Sequence, residues 1–166
     1  MVGDELDGEA QASRAPTLDD LRKLCAALNA AGARYMVIGG LAVNYWGGQR
    51  FTQDIDLLVD PSSDNVRKVK LGLEVLPDRA AREIGDTDVQ DLTVVRVMDE
   101  VTVDLMARVG DIEFANAEAV SALIDGVIVP IASLTTLIET KQGRRDKDRL
   151  DLQFLLRRKA GHERPG

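Results

Sequence analysis

Residues Tyr35 to Asp60, YMVIGGLAVNYWGGQRFTQDIDLLVD, leave this chain few choices of fold. An apolar run ends in Gly39-Gly40, and a helix-compatible stretch closes on Gly47-Gly48. After Arg50-Phe51-Thr52 comes an apolar strand that carries two acids, Asp54-Ile55-Asp56-Leu57-Leu58-Val59. Side chains alternate along a strand, so Asp54 and Asp56 leave from one face and Ile55 and Leu57 from the other. Two carboxylates about 7 Å apart along a strand can converge on a cation held above it. With no cation, a pair about 4 Å apart repels by roughly 4 kcal/mol at an effective dielectric near 20. A divalent metal is the simplest neutraliser.

Several function classes are excluded or disfavoured by composition. At 166 residues the chain suits one domain. Aromatic residues make up 4%, too few for a base-stacking platform of the single-strand-binding kind. Cys25 is the one cysteine, which excludes an internal disulfide and fits a reducing cytoplasm. Its spacing with Leu18, Leu21 and Leu28 places it on the apolar face of a helix, as core. The single histidine, His162, lies in a polar tail, and a structural zinc site has no ligand cluster. No apolar run approaches the ~20 residues that span a bilayer, and the acidic start is unlike a signal peptide. The net charge of −7 is uneven: from Lys141 onward nine Lys/Arg face four Asp/Glu. The acidic body is a poor general binder of nucleic-acid backbone, whereas a small phosphate ligand between the acids and the basic C-terminal region is compatible with it.

The organisation reads as an acidic disordered tail over 1–16, one domain over 17–160 and a frayed tail over 161–166. Thr17 predicts a helix N-cap, with Asp20 as its partner acid. A first strand is expected over Ala33 to Ile38, a short helix over Leu41 to Trp46 and, after the acidic strand, a helix from Pro61-Ser62-Ser63 to about Leu76. Asp78 to Ile84 suits another short helix. Leu92 to Met98 and Val101 to Met106 read as a hairpin turned at Asp99-Glu100. In its second strand Asp104 stands alone among apolar neighbours. It is either an edge-facing hairpin residue or, if that strand lies beside Asp54 to Val59, a third carboxylate for the same site. Residues 111–124 are expected to be helical. Val127 to Ile131 is a short strand whose Pro130 argues for an edge position or a strand end, and helices follow over Ser133 to Lys141 and Asp146 to about Lys159.

Gly39-Gly40, then Arg50-x-Thr52-x-Asp54-x-Asp56, then the later strand acid Asp104 resemble the polymerase-beta-type nucleotidyltransferase superfamily. Within it the chain is similar to the small bacterial branch related to AbiEii abortive-infection toxins. The further residues that carry this likeness are Lys141, Arg145, Asp148, Asp151 and Leu155, with Asp146 where that branch tends to have proline. The resemblance covers about residues 18–158. It implies an α/β fold, a mixed sheet of about five strands with helices mainly on one face. It also implies a Mg²⁺-dependent enzyme that moves a nucleoside monophosphate from an NTP to an acceptor hydroxyl.

On this resemblance Asp54 and Asp56 would bridge two Mg²⁺ ions and Asp104 would hold one of them and help activate the hydroxyl. Gly39 and Gly40 would let the backbone approach phosphate oxygens; they also suit a plain strand-to-helix turn, and both readings can hold. Arg50 and Thr52 suit phosphate, although Arg50 could equally pair with a neighbouring carboxylate. Lys141 fits a helix C-cap as well as a triphosphate ligand, and the family pattern tips it toward the triphosphate. Arg145 and Asp148 read as a structural ion pair. The acceptor, whether a tRNA end, a protein hydroxyl or a small molecule, is open. A second reading is a nucleotide- or partner-binding module, one half of a toxin–antitoxin pair with little turnover.

Overall fold

The computed structural model describes residues 13–142 and 146–163, with the side chains of residues 146, 147 and 163 outside that description. Most of the expected acidic tail, Arg145, the side chain of Asp146 and the last three residues therefore lie outside the described residues. Helix α1, Leu18–Ala30, begins with the reciprocal cap that Thr17 and Asp20 predict. The Asp20 N–H donates to Thr17 Oγ1, and the Thr17 N–H donates to Asp20 Oδ2, so two otherwise orphan donors are satisfied. Its inner face, Leu21, Leu24, Cys25 and Leu28, is buried.

Strand β1, Tyr35–Ile38, is buried throughout and runs directly into helix α2, Gly39–Tyr45. Strand β2, Asp54–Val59, leads to helix α3, Ser63–Leu73, where Ser62 Oγ accepts the Asn65 N–H as a cap. A 3₁₀ turn over Ala80–Glu83 and the short helix α4, Asp88–Asp91, precede the hairpin of β3, Val95–Met98, and β4, Thr102–Met106. A small ribbon of β5, Arg108–Val109, and β6, Ile112–Glu113, comes next. The hairpin of β7, Ala119–Ile124, and β8, Val127–Ala132, then leads into α5, Leu134–Thr140, and α6, Asp146–Glu163.

The main sheet has six strands in the order β3-β4-β2-β1-β8-β7. It is mixed: β2 and β4 are parallel, as are β1 and β8, while the β1–β2, β3–β4 and β7–β8 pairs are antiparallel. On the face opposite the acids, Ile55, Leu57, Val95, Val97, Val103 and Leu105 are buried and share one hydrophobic cluster with α1 and α3. The two helices meet closely where Gly72 of α3 faces Leu28 of α1; a Cβ there would come within 2.7 Å of Leu28 Cδ2. Among the described residues no helix is long and apolar enough to cross a membrane.

The α/β class is as expected, with three differences in detail. Residues 111–124 are not helical; they form β6, a 3₁₀ turn over Phe114–Asn116 and β7, which brings the sheet to six strands. The signal for β7 is Asp125-Gly126, at φ 46° and 82°. Two successive positive φ values make the tight turn whose twist matches a hairpin, and a short apolar run beside it is then a strand. Secondly, Pro130 does not mark an edge, since β8 lies between β7 and β1. It pairs with β7 along its whole length but registers with β1 only through Val37 and Ile131, beside the proline that has no N–H to give. Thirdly, α6 continues to Glu163, where the His162 ring meets Trp46 edge-on at 5.9 Å.

Candidate active site

Parallel pairing of β2 with β4 decides the site. The register sets Asp54 opposite Thr102 and Asp56 opposite Asp104. Asp54 and Asp56 share a face by alternation, and the register adds Asp104 to that face from the next strand. One carboxylate oxygen from each lies within 4.8 Å of the others. Asp104 is buried, and the other two are partly buried. Of the two positions open to Asp104 from sequence, the one beside the acidic strand is realised.

Three acids so close cannot all ionise at their ordinary pKa. Burial, then the charges of Asp54 and Asp104, push the Asp56 carboxyl up to about 7, with Lys141 acting in the opposite direction. All three donors are hard carboxylate oxygens on rigid strands, which is the chemistry that suits Mg²⁺ or Mn²⁺.

Gly39 and Gly40 shape the approach to these acids. Gly39 sits at φ 70°, and a Cβ on it would stand 2.2 Å from Asp56 Oδ2. A Cβ on Gly40 would stand 2.4 Å from Thr52 Cγ2, so Thr52 packs over the start of α2. Both glycines are therefore required by close approach, one to the acid and one to the loop that enters β2. That loop is fixed by Asn44, whose side chain accepts the Arg50 N–H at 2.7 Å and donates to the Arg50 carbonyl at 2.8 Å.

The C-terminal helix supplies the opposite wall. Arg50 Nη1 is bonded to Asp151, the carboxylate partner that sequence left open for it. Lys141 is the C-cap residue of α5, and its side chain is partly buried, 12% exposed. Its Nζ lies 3.2 Å from Asp151 and 3.4 Å from Asp148. Asp148, expected beside Arg145, thus has Lys141 as a partner, while Arg145 itself lies outside the described residues. A cavity of about 540 Å³ opens between these parts. Gly39, Asp56, Lys141 and Asp148 line it on the polar side, and Ile38, Met106 and Ile112 on the apolar side.

Arg96 is the site residue that sequence reasoning missed. From β3 its Nε and Nη2 each donate to Asp104 at 2.9 Å, and Nη2 also reaches Asp54 Oδ2 at 3.4 Å. The signal was available: in Val95-Arg96-Val97-Met98 the arginine is on the polar face, and a hairpin turned near Asp99 sets it opposite Asp104. Cys25 is core, as its helical spacing predicted; it is fully buried, and burial pushes its thiol up to about 11.

No curated protein matches the chain. Among solved structures, an antigenic nucleotidyltransferase-like protein from Paracoccidioides brasiliensis is similar in fold, with a TM-score of 0.53 and 17% sequence identity. The match covers 85% of this chain and 77% of that one. The family described as "Nucleotidyl transferase of unknown function (DUF2204)" matches residues 17–160, a span that contains every acid, glycine and basic residue placed above. With its profile covering most of the chain, the protein belongs to this nucleotidyl transferase family.

Proposed function

We propose that this chain is a Mg²⁺-dependent nucleotidyltransferase that moves a nucleoside monophosphate from an NTP to an acceptor hydroxyl. The observation that carries this reading is the convergence of Asp54, Asp56 and Asp104 within 4.8 Å across two parallel strands. Asp54 and Asp56 would hold two divalent ions, with Asp104 a ligand to one. When bound, the ions would neutralise charge on the attacking and leaving oxygens of an in-line displacement. The acceptor oxygen forms a bond to the α-phosphorus as the bond to the β-phosphate oxygen breaks, and pyrophosphate leaves. Asp104, the third carboxylate, would take the proton of the acceptor hydroxyl.

The donor nucleotide fits the cavity beside Asp56. Gly39 lines that cavity beside Asp56, and Lys141 presents the cationic end of the same wall. Thr52 packs against Gly40 at the same corner. Arg50, which is bonded to Asp151, acts by holding α6 against the site loop. The protein contributes position and charge, with no covalent step of its own.

Lys141, Asp148, Asp151 and Leu155 support placing the chain near the AbiEii-related branch, and with it a toxin–antitoxin role in the cytoplasm. The second reading, a nucleotide- or partner-binding module, is favoured by one observation: Arg96 already neutralises Asp104. The discriminating experiment is incubation with each α-³²P-labelled NTP, Mg²⁺ and cell extract. The enzyme reading expects one labelled acceptor, a tRNA, a protein or a small molecule. It also expects the label to fall by at least about a thousandfold in Asp56→Ala, which loses a ligand common to both ions. A protein that binds Mg–NTP yet labels nothing with any of the nucleotides would leave the binding-module reading.

A further inference from the structure

We propose that Arg96 is a resident counter-ion that a divalent cation must displace from Asp104, so that it sets the occupancy of the metal centre. This rests on the metal-dependent reading of the acid cluster given above.

The geometry is specific. The side chains of Arg96, Asp104 and Asp56 stand in one cross-strand row, because β3 pairs Arg96 with Asp104 and β4 pairs Asp104 with Asp56. The planar fork takes both oxygens of Asp104 at 2.9 Å and adds Asp54 at 3.4 Å. Two of the three proposed metal ligands are thereby partnered by one guanidinium. Among the described residues no arginine is bonded to Asp56, which lines the cavity together with Lys141.

A guanidinium cannot lose its proton at ordinary pH, so this positive charge cannot be titrated away. It can leave only by moving. Arg96 lies on the edge strand β3, and its side chain is 56% exposed. Nothing among the described residues buries it in place, and water is open to it on the outer side. A dication at Asp104 and a guanidinium on the same carboxylate would repel strongly over a few ångströms. Filling the position that uses Asp104 therefore requires the fork to release, whereas an ion held by Asp54 and Asp56 alone meets less opposition.

An alternative role gives the opposite sign. If Arg96 only orients Asp104 for the metal, its removal loosens a ligand and weakens binding. The two roles are separated by Mn²⁺ titration of the chelator-stripped full chain, followed by electron paramagnetic resonance of free Mn²⁺. Arg96→Met keeps an apolar stem and removes the charge. It should bind Mn²⁺ at least about tenfold more tightly than wild type, the scale expected for removing a like charge at this range. Arg96→Lys, a point charge without the fork, should fall between. In an Asp104→Asn background the Arg96→Met gain should shrink to the part carried by the Asp54 contact, which a merely structural effect would not do.

Circular dichroism establishes that each variant is folded before titration. An Arg96→Met affinity equal to or weaker than wild type overturns the proposal, as does a gain that is undiminished without Asp104. The underlying reading is tested separately by Asp54→Asn with Asp56→Asn. Loss of tight Mn²⁺ binding there supports the metal centre whatever Arg96 does. Unchanged binding sinks the metal centre, and the proposed role of Arg96 with it.

Discussion

Asp56 Oδ2 occupies space that a side chain on Gly39 would need: a Cβ there would come within 2.2 Å of it. The turn from β1 into α2 and the position of the central acid are therefore a single geometric unit. Gly39 also holds φ at 70°, where an L side chain is strained.

Gly39→Ala should displace Asp56, because the clashing atom is the end of a side chain that can rotate away. The backbone strain should cost about 1–2 kcal/mol, and loss of the acid's position should reduce nucleotidyl transfer by about a hundredfold or more. Thermal unfolding and labelling with α-³²P NTP measure the two effects. Full transfer activity in Gly39→Ala would separate the glycine from the acid.

Asp56 predicts an unusual pH dependence for the metal-free protein. Its folded pKa of about 7 lies above the unfolded value near 3.9, so the folded state binds this proton more tightly. Stability from this group is fully present below pH ~4 and is lost as pH rises toward 7, at most about 4 kcal/mol over that window. Asp56→Asn should remove that slope and raise stability near pH 8. Unfolding of both proteins in chelator from pH 4.5 to 8 is the check; parallel curves would mean that the carboxylates do not oppose one another.

Lys141 has more to lose than a helix cap. Its Nζ lies near both Asp148 and Asp151, which are buried. Lys141→Met removes one cation from each of those carboxylates, and Arg50 remains on Asp151. Breaking a buried pair typically costs about 3–5 kcal/mol, and the remaining arginine should bring the cost to about 2–3 kcal/mol. As a wall of the donor cavity it should also weaken Mg–NTP binding by about 1.5–3 kcal/mol. Calorimetry on the folded variant reads the second effect apart from the first. Unchanged affinity would confine Lys141 to holding α6.

Asp99 tests a structural assignment. It is fully buried and accepts the N–H groups of Asp78, Ala80 and Glu100 at 3.0, 3.0 and 2.7 Å. It thereby ties the β3–β4 turn to the loop ahead of the 3₁₀ turn. Asp99→Ala strands those donors and should cost about 2–4 kcal/mol. A urea midpoint within error of wild type would show that water replaces the carboxylate.

The sequence by itself determined the elements whose signals are local. Thr17 and Asp20 announced their cap, and the alternation in Asp54 to Val59 put two acids on one face. The glycine pair marked the turn into α2. Each depends on contacts only a few residues apart, so spacing is enough. What tertiary structure decided was pairing between distant strands. Asp104 joins the site because β4 lies parallel to β2 in the one register that sets it opposite Asp56, and a slip of one residue would turn it to the other face. Arg96 reads locally as a solvated strand residue, and only the β3–β4 register shows it on two of the acids. Lys141 could be a cap or a ligand from sequence, since α6 had to dock before Asp148 and Asp151 became its partners. From sequence β7 reads as part of a helix, because a short apolar run is compatible with either period, and the hairpin with β8 settles it as a strand.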